Sequence, residues 1–284
     1  MIQKIVVFGG NGFLGKRICQ QAVLNGLQVV GLSRSGKAPQ ALGNDKYWIK
    51  EVSWNQADIF NPETYNEHLK DATDVVDTIG ILLENENYKK NIKEGFSLSS
   101  LLPLPKLSRN PLLNSESPRH DRASNFTYKR MNTESAIILA DAFKEILKKR
   151  EFNTNVKSSL TYISADKGFV MVPNGYITSK RRAEEYLLNQ SYREDSPFRS
   201  IIIRPGFMFD ELKTNQFNDV RTVLHDTIEV LNCANKLVLR NQCKQVNDLI
   251  RPSISTQQVG RALIEKIKDT GFNGVVGLDE LLVS

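Results

Sequence analysis

Residues 4–34 read KIVVFGGNGFLGKRICQQAVLNGLQVVGLSR, which is a strand pattern, a glycine-rich turn, a helix pattern and a second strand pattern in succession. The two strand patterns, Lys4–Phe8 and Gln28–Leu32, are short apolar runs rich in β-branched residues, and Gly26 is placed to end the helix between them. A strand, a helix and a second parallel strand within about 30 residues form a βαβ unit. The stretch therefore predicts an α/β fold built on a Rossmann-type, doubly wound parallel sheet.

The glycine-rich turn has the spacing of a dinucleotide-binding site. Gly10, Gly12 and Gly15 match G-x-G-x-x-G, and Gly9, Gly12 and Gly15 match G-x-x-G-x-x-G. Glycines allow the backbone to approach a pyrophosphate closely, and the helix N-terminus that follows stabilises its negative charge. The predicted cofactor-binding residues of this turn are Gly9, Gly10, Gly12, Phe13, Leu14 and Gly15. The alternative is that the glycines only shape a turn.

The end of the second strand discriminates between the two nicotinamide cofactors. NAD-binding sites usually place a carboxylate there, whereas this sequence has Ser33 and Arg34, with Lys37 close behind. A guanidinium attracts the 2′-phosphate that a carboxylate would repel, so NADP(H) is favoured over NAD(H). Asp58 and Ile59, after the next strand, are predicted to flank the adenine. For Arg34, a solvated surface arginine is the alternative.

A tyrosine and a lysine four residues apart form the predicted catalytic centre. Tyr176 and Lys180 lie in a helix pattern and share one face of it, and Ser164 follows the strand before it. A nearby ammonium lowers the pKa of a tyrosine, so that the phenol can exchange a proton with a carbonyl oxygen while hydride is transferred. Ser164 would hydrogen-bond that oxygen. A surface pair on an amphipathic helix is the alternative.

The rest of the chain continues the alternation of strands and helices. We predict one domain over residues 1–284, with an insertion at 84–130 that is rich in proline and serine and a small C-terminal helical region at 207–284 for a substrate or partner. The predicted strands are 47–52, 74–81, 159–163 and 199–204, and the predicted helices start near Asn61-Pro62 or span 131–150, 176–189, 218–232 and 256–268. Strands that alternate with helices in this way form a parallel sheet.

The composition is that of an ordinary globular protein, with 40% hydrophobic and 25% charged residues, and it excludes collagen, coiled coils and wholesale disorder. The net charge is +6, and much of the excess lies in residues 84–130, which hold nine basic and five acidic side chains. A basic face for nucleic acid is therefore not predicted. Contact of this segment with an anionic membrane surface or an acidic partner stays open.

No metal site, membrane span or leader is predicted from the sequence. Cys19, Cys233 and Cys243 lack C-x-x-C spacing, and the three histidines are far apart. No apolar run approaches the roughly 18 residues that cross a bilayer. The first strand pattern starts directly behind Met1, so we expect no cleavable presequence.

These residues, in this order, resemble the landmarks of the short-chain dehydrogenase/reductases, and in particular of the extended or atypical branch of that family. The landmarks are the Gly9–Gly15 turn, Arg34, Asp58-Ile59, Asn132, Ser164, Tyr176 with Lys180, and Arg204-Pro205-Gly206. The resemblance implies that Asn132 and Pro205 support the catalytic lysine and the nicotinamide region. Two departures stand out: Thr78–Ile81 replaces the usual Asn-Asn-Ala-Gly motif, and a single Ser164 replaces tandem serines.

A narrower resemblance lies within that branch. The strings GGNGFLGKRICQ, GILLENENY and LIRPSISTQQV resemble fungal proteins of coenzyme Q (ubiquinone) biosynthesis, and the last resembles relatives of the NAD(P)H-binding accessory subunit of respiratory complex I. This resemblance implies a mitochondrial protein on the matrix face of the inner membrane. It further implies other coenzyme Q biosynthesis subunits as partners and an apolar intermediate of the quinone pathway as substrate. Either an NADP(H)-dependent oxidoreductase or a non-catalytic dinucleotide-binding subunit fits it.

Overall fold

A computed structural model of the chain describes residues 3–41, 45–82, 126–150, 157–167, 172–213 and 251–283. Most of the insertion predicted at 84–130 and the helix predicted at 218–232 lie outside these residues. Residues 126–130 of the predicted insertion lie within them, and a helical turn already begins at Lys129.

A seven-stranded parallel sheet forms the centre of the fold. The described residues contain nine strands, of which seven belong to this sheet. They are β1 (Lys4–Phe8), β2 (Gln28–Ser33), β3 (Val52–Gln56), β4 (Asp74–Asp77), β5 (Ser158–Ile163), β6 (Phe198–Ile203), β7 (Met208–Phe209), β8 (Ile254–Ser255) and β9 (Gly274–Val276). The order in the main sheet is β3-β2-β1-β4-β5-β6-β9, and β7 pairs with β8 in a separate two-stranded sheet. The chain thus moves outward from β1 in one direction and, from β4 on, in the other. The predicted doubly wound, Rossmann-type sheet is confirmed.

Helices cover both faces of this sheet. They are α1 (Gly15–Leu24), α2 (Lys46–Lys50), α3 (Asn66–Leu69), α4 (Ser135–Lys148), α5 (Asn174–Ser191), α6 (Thr256–Lys268) and α7 (Leu278–Leu281), with a π-helical turn at Lys129–Glu134 and 3-10 turns at Pro62–Thr64 and Glu211–Lys213. Ile5 of β1 shares a core with Ile18 of α1 and Leu263 of α6, whereas the next residue, Val6, shares the opposite core with Leu139 of α4. Because successive side chains of a strand point to opposite faces, β1 is buried on both sides.

The strand predicted at 47–52 is wrong in position. Residues 46–50 form α2, and β3 starts only at Val52. Trp48 is buried and donates its indole N–H to Asp45 Oδ1 at 3.0 Å, while Tyr47 is exposed. The buried residues Asp45 and Trp48 are three positions apart with exposed residues between them, which is the spacing of a helix face rather than the alternation of a strand.

Two other predicted elements are shorter than expected. β4 ends at Asp77 instead of residue 81, because Asp77 Oδ1 accepts the N–H of Ile79 at 2.8 Å and so turns the chain. The helix predicted to start near Asn61-Pro62 consists of a 3-10 turn followed by the short α3. Pro62 occupies its first position, but the side chain of Asn61 makes no capping hydrogen bond.

Four charged side chains form a buried cluster that joins distant parts of the chain. The Nη1 atom of Arg17 donates to Asp45 Oδ1 at 2.8 Å, and its Nε and Nη2 atoms donate to the two carboxylate oxygens of Asp210 at 3.2 Å each. Lys16 Nζ binds Asp210 at 2.7 Å. Burial by itself would raise the pKa of Asp210, but Lys16 and Arg17 outweigh it and lower that pKa. Two positive and two negative charges thus compensate one another inside the protein.

Residues 251–283 of the predicted C-terminal region belong to the main fold. β9 pairs with β6 and completes the sheet. α6 packs against α1 so closely that a Cβ atom on Gly260 would lie 3.1 Å from the carbonyl oxygen of Arg17. The region predicted as helical therefore also supplies a strand and holds the first helix in place.

We expect Arg17→Met to lower the free energy of unfolding by about 3–5 kcal/mol, because two buried carboxylates then share one cation. Lys70→Met is the matched control, since Lys70 and its partner Glu67 are 63% and 76% exposed, and a loss below about 1 kcal/mol is expected there. Urea unfolding of both variants measures the difference. Equal losses would contradict a stabilising role of the buried cluster.

Candidate active site

The glycine turn lies between the end of β1 and the start of α1. Gly9 has a φ of +77°, and the N–H groups of Gly9 and Gly10 donate to the carbonyl oxygen of Leu32 at 2.8 and 3.1 Å. Gly12 donates its N–H to the carbonyl oxygen of Gly9 at 2.7 Å. A Cβ atom on Gly15 would lie 2.2 Å from that same oxygen, so α1 approaches β1 this closely only because residue 15 is glycine.

The N-terminus of α1 faces this turn without a side-chain cap. Its first turn also holds no acidic residue. Leu14 is buried in the core, whereas Phe13 is partly exposed beside the turn. Since a helix N-terminus with uncapped N–H groups stabilises anions, the geometry fits the pyrophosphate of a dinucleotide.

An open pocket of about 560 Å³ lies beyond the carboxyl ends of β2 and β3. Its lining residues are Arg34, Gln56, Ala57, Asp58 and Thr64. Arg34 is exposed, and its guanidinium carbon lies 6.0 Å from the centroid of the Phe126 ring. The pocket is thus bordered by the cation that the sequence analysis assigned to a 2′-phosphate.

The other residues predicted around the adenine and the 2′-phosphate differ in placement. The Oγ of Ser33 accepts the N–H of Gly36 at 3.1 Å, which shapes the turn after β2. Asp58 lines the pocket, and its Oδ1 accepts the N–H of Phe60 at 3.1 Å. Ile59 is buried in the core at 5% exposure and does not line the pocket. The structure therefore brings Asp58, but not Ile59, next to Arg34.

Ser164 follows β5 directly and is buried. Its N–H donates to the carbonyl oxygen of Ile203 at 2.8 Å, and its Oγ accepts from Arg181 Nη1 at 3.2 Å. Arg181 also binds Glu184 Oε1 at 2.6 Å and donates to the carbonyl oxygen of Asp166 at 3.1 Å. A serine hydroxyl that accepts from a guanidinium retains its own proton for donation to another oxygen.

Tyr176 lies in the first turn of α5 and is half-buried. Its ring packs edge-on against Tyr128, with the ring centroids 6.2 Å apart and an angle of 67° between the planes. The hydroxyl of Tyr128 donates to the carbonyl oxygen of Leu82 at 2.9 Å, and a Cβ atom on Gly175 would lie 3.0 Å from the Tyr128 ring. The ring of Tyr176 is therefore held from the side by Tyr128, a residue at the C-terminal end of the predicted insertion.

Lys180 is buried one helical turn after Tyr176. Its Nζ donates to the carbonyl oxygen of Ile163 at 2.8 Å and lies 4.6 Å from the centroid of the Tyr162 ring. Burial lowers the pKa of Lys180 to about 8, against the opposite effect of the carboxylates of Asp77 and Glu184. The ammonium is thus placed at the carboxyl end of β5, close to Ser164.

Asn132 connects the turn after β4 with α5. Its side chain is fully buried; Oδ1 accepts the N–H of Ile81 at 2.8 Å, and Nδ2 donates to the Ile81 carbonyl at 3.2 Å and to Ser179 Oγ at 3.0 Å. The hydroxyl of Tyr162 donates to the carbonyl oxygen of Asn132 at 2.6 Å. Because Ser179 precedes Lys180, these bonds fix the part of α5 that holds the lysine.

The segment that follows β6 borders the site next to the end of β5. Pro205 is buried, and its carbonyl oxygen accepts the N–H of Asp166 at 2.8 Å. Arg204 Nε donates to Glu184 Oε1 at 3.0 Å, and Arg251 Nε donates to Asp166 Oδ2 at 2.7 Å. These ion pairs tie the ends of β5 and β6 to α5 and to the C-terminal region.

The predicted residues thus gather at one edge of the sheet. The glycine turn and Arg34 follow β1 and β2, Ser164 and Pro205 follow β5 and β6, and Tyr176 and Lys180 lie on the helix after β5. In open α/β sheets, ligands bind at the carboxyl edge where the strand order reverses, which here is between β1 and β4.

Three residues of this site were missed from the sequence. Asp77 is a buried carboxylate at the end of β4, and its signal was a charge inside an apolar run. Gly80 is required because a Cβ atom there would lie 2.9 Å from both Asn132 Oδ1 and Lys180 Nζ. Arg181 left no signal, since an arginine on a polar helix is ordinary until its contact with the serine is known.

Within the described ranges, no group of His, Cys, Asp and Glu side chains is arranged to hold a metal ion. Cys19 is a buried free thiol. None of the helices in the same ranges combines the length and apolar character that crossing a bilayer requires.

The parallel sheet, the glycine turn at its carboxyl edge and the helix carrying Tyr176 and Lys180 define a Rossmann-type fold of the kind found in short-chain dehydrogenases/reductases. The family described as NAD dependent epimerase/dehydratase matches residues 5–93. The chain is 51% identical to MIOREX complex component 2 of Saccharomyces cerevisiae over 287 residues, 99% of each protein, and it therefore belongs to the family of that protein.

Solved structures show the same fold at low sequence identity. A 3-oxoacyl-[acyl-carrier protein] reductase from Brucella melitensis in complex with NAD aligns with a TM-score of 0.59 at 12% identity, covering 100% of this chain and 99% of the reductase. ElxO with NADP bound aligns with a TM-score of 0.56 at 14% identity, covering 99% and 100%. Dinucleotides of both kinds are thus bound by proteins of this fold.

We expect Gly15→Ala to destabilise the protein far more than Gly26→Ala. The added methyl of Gly15→Ala meets the carbonyl oxygen of Gly9, which moves only together with the turn. Gly26 has a φ of +75° with no atom within 4 Å of a Cβ, so Gly26→Ala costs only the backbone strain of about 1–2 kcal/mol. Thermal unfolding measures both losses, and equal losses would contradict the close approach of α1 to β1.

Proposed function

We propose that this protein is an NADP(H)-dependent oxidoreductase that interconverts a carbonyl and an alcohol and serves coenzyme Q biosynthesis as a subunit of a multi-subunit complex. The observation that carries this proposal is the position of Tyr176, Lys180 and Ser164 at the sheet edge that also carries the Gly9–Gly15 turn. A nicotinamide dinucleotide, when bound, supplies or accepts the hydride. The chain's own residues supply the binding energy and the proton.

The described residues fit such a cofactor from one end to the other. The turn at Gly9–Gly15 and the start of α1 would hold the pyrophosphate. Arg34 and Ser33 would bind a 2′-phosphate, while Asp58 would border the adenine. Lys180 would bind the nicotinamide ribose, and Pro205 would lie against the nicotinamide. NADP(H) is preferred over NAD(H) because the end of β2 carries a guanidinium and no carboxylate.

The proton step belongs to Tyr176. Its phenol gives a proton to the substrate oxygen in reduction and takes it back in oxidation. The positive charge of Lys180 would favour the phenolate that forms when this proton leaves. Ser164 donates its hydroxyl proton to the same substrate oxygen, because Arg181 already occupies a lone pair of the serine.

The biological setting rests on relatives. The yeast relative is named as a component of a complex, which supports the proposal that this protein works together with other subunits. The resemblance to fungal coenzyme Q biosynthesis proteins supports the matrix face of the mitochondrial inner membrane, other subunits of that pathway as partners and an apolar quinone-pathway intermediate as substrate. No nucleic acid partner is proposed.

A non-catalytic, dinucleotide-binding accessory subunit is the second candidate. The departure of Thr78–Ile81 from the usual Asn-Asn-Ala-Gly motif favours it. Peripheral membrane contact through residues 84–130 or 218–232 is compatible with both candidates, and those segments lie outside the described residues apart from 126–130.

We expect Arg34→Glu to weaken NADPH binding by roughly tenfold to a hundredfold and NADH binding little, because only NADPH carries the 2′-phosphate. Lys50→Glu is the matched control: it makes the same charge change on an exposed residue of α2 that does not line the pocket. Calorimetric titration with both reduced cofactors and their oxidised forms measures the affinities. A wild-type protein that binds none of them would overturn the proposed function.

We expect Tyr176→Phe to abolish quinone synthesis in cells that depend on this protein while the complex still assembles, since loss of the proton donor slows the reaction by about 10²–10⁴-fold. Tyr186→Phe, on the same helix, is the control; its hydroxyl binds Asp141 away from the site, and synthesis should persist. Quinone content and co-purification of the complex are the two readouts. Full synthesis with Tyr176→Phe would leave the non-catalytic candidate.

A further inference from the structure

Asp77 carries a buried carboxylate oxygen that has no hydrogen-bond partner among the described residues. The side chain ends β4 at 1% exposure, and its Oδ1 accepts the N–H of Ile79 at 2.8 Å. Its Oδ2 is buried and has no hydrogen-bond partner in the part of the chain that the structure describes. Burying a carboxylate oxygen without a partner costs free energy, so a compensating charge nearby is expected.

The neighbours of Asp77 lead to the ammonium of Lys180. Asp77 pairs in register with Tyr162 of β5, so the two side chains lie on the same face of the sheet. Lys180 Nζ lies 4.6 Å from the centroid of that tyrosine ring. Three residues after Asp77, a Cβ atom on Gly80 would lie 2.9 Å from the same Nζ atom. Both the strand partner of Asp77 and the turn that follows it thus face Lys180.

The other titratable groups around this pair are acids, so none of them supplies the positive charge that would compensate Asp77. Glu184 on α5 is already bound by Arg181 and Arg204. Burial raises the pKa of Tyr162 well above its ordinary value, and burial together with Asp77 raises the pKa of Tyr65 in the same core, so both phenols are neutral. Tyr176 is the proposed proton donor on the same helix. No salt bridge to Lys180 within 4 Å exists among the described residues.

We propose that Asp77 is a positioning residue that acts through Lys180: its carboxylate, buried beneath the site, keeps the Lys180 ammonium charged and aligned. The consequence for dinucleotide binding rests on the proposed function above. Through Lys180, Asp77 would sustain both the hold on the nicotinamide ribose and the acidity of Tyr176.

The titration of Asp77 and Lys180 defines the pH range in which both side chains are charged. Burial raises the pKa of Asp77 to about 6, and the amide of Ile79 and Lys180 act against this rise. Burial lowers the pKa of Lys180 to about 8. Both groups are therefore charged between about pH 6 and pH 8. Below this window Asp77 takes up a proton, and above it Lys180 loses one.

The direct test is the titration of the Lys180 ε-carbon by NMR, in full-length protein labelled at that carbon in lysine and assigned by Lys180→Arg. We expect Asp77→Asn to move the midpoint from about 8 to a value lower by about one pH unit or more, because an opposite charge is lost. Asp74→Asn is the matched control, since Asp74 is a buried carboxylate at the other end of β4 that binds Ser159 and Thr73. An unchanged midpoint in Asp77→Asn would overturn the proposal.

A second variant keeps the test valid if Asp77→Asn does not fold. Lys180→Met leaves Asp77 in place, and the carboxyl carbon of Asp77 should then titrate at a pH clearly above 6, because two interacting groups shift each other equally. A carboxyl titration that is the same with and without Lys180 would overturn the proposal as well.

Calorimetric titration with NADPH from pH 6 to pH 9 separates this inference from the proposed function. We expect the wild-type affinity to fall about tenfold above pH 8, and the affinity of Asp77→Asn to fall at a lower pH. Identical pH profiles would contradict the action of Asp77 on the dinucleotide. If the wild-type protein bound no NADPH at any pH, the proposed function would fail, and the NMR titrations would still decide the coupling of Asp77 and Lys180.

Discussion

Arg17 can be buried only if carboxylates from two distant segments close over it, and this requirement links the first helix to the rest of the molecule. Asp45 precedes α2, and Asp210 follows β7. Their contacts fix α1, whose N-terminus faces the glycine turn, to the β2–β3 connection and to the C-terminal region at once. The dinucleotide site therefore depends on the folding of the whole chain and not on the βαβ unit alone.

The site combines two kinds of construction. Near β1 and β2 it is built from backbone, because glycines bring α1 within contact of the strand. Near β4 and β5 it is built from the buried side chains of Asn132, Lys180 and Asp77. In the proposed function, the first part would bind the pyrophosphate that all dinucleotides share, whereas the second part would set the charge of Lys180 and the position of the Tyr176 proton. Binding and chemistry would thus lie in different parts of the same sheet edge.

The sequence allowed prediction of whatever is local. The βαβ unit, β5, β6 and α6 follow from periodicity over adjacent residues, and the helix predicted at 256–268 has the same bounds in the structure. The error at residues 47–52 arose because a short apolar run fits a strand and a helix equally until the burial of Trp48 is known. Asp77, Arg181 and Arg17 act through partners far away in the chain, and such contacts leave no pattern in the sequence. The burial of Ile59 likewise depends on the three-dimensional core.

The hydrogen bond from Tyr128 to the carbonyl oxygen of Leu82 has an evolutionary consequence. It joins the two chain positions that flank residues 83–125, at a point where Tyr128 also contacts Tyr176. The entropic cost of closing a segment between two fixed ends rises by only about 0.6 kcal/mol for each doubling of its length. Insertions or deletions between these two positions would therefore add little cost as long as the hydrogen bond persists, and they would leave the contact of Tyr128 with Tyr176 in place.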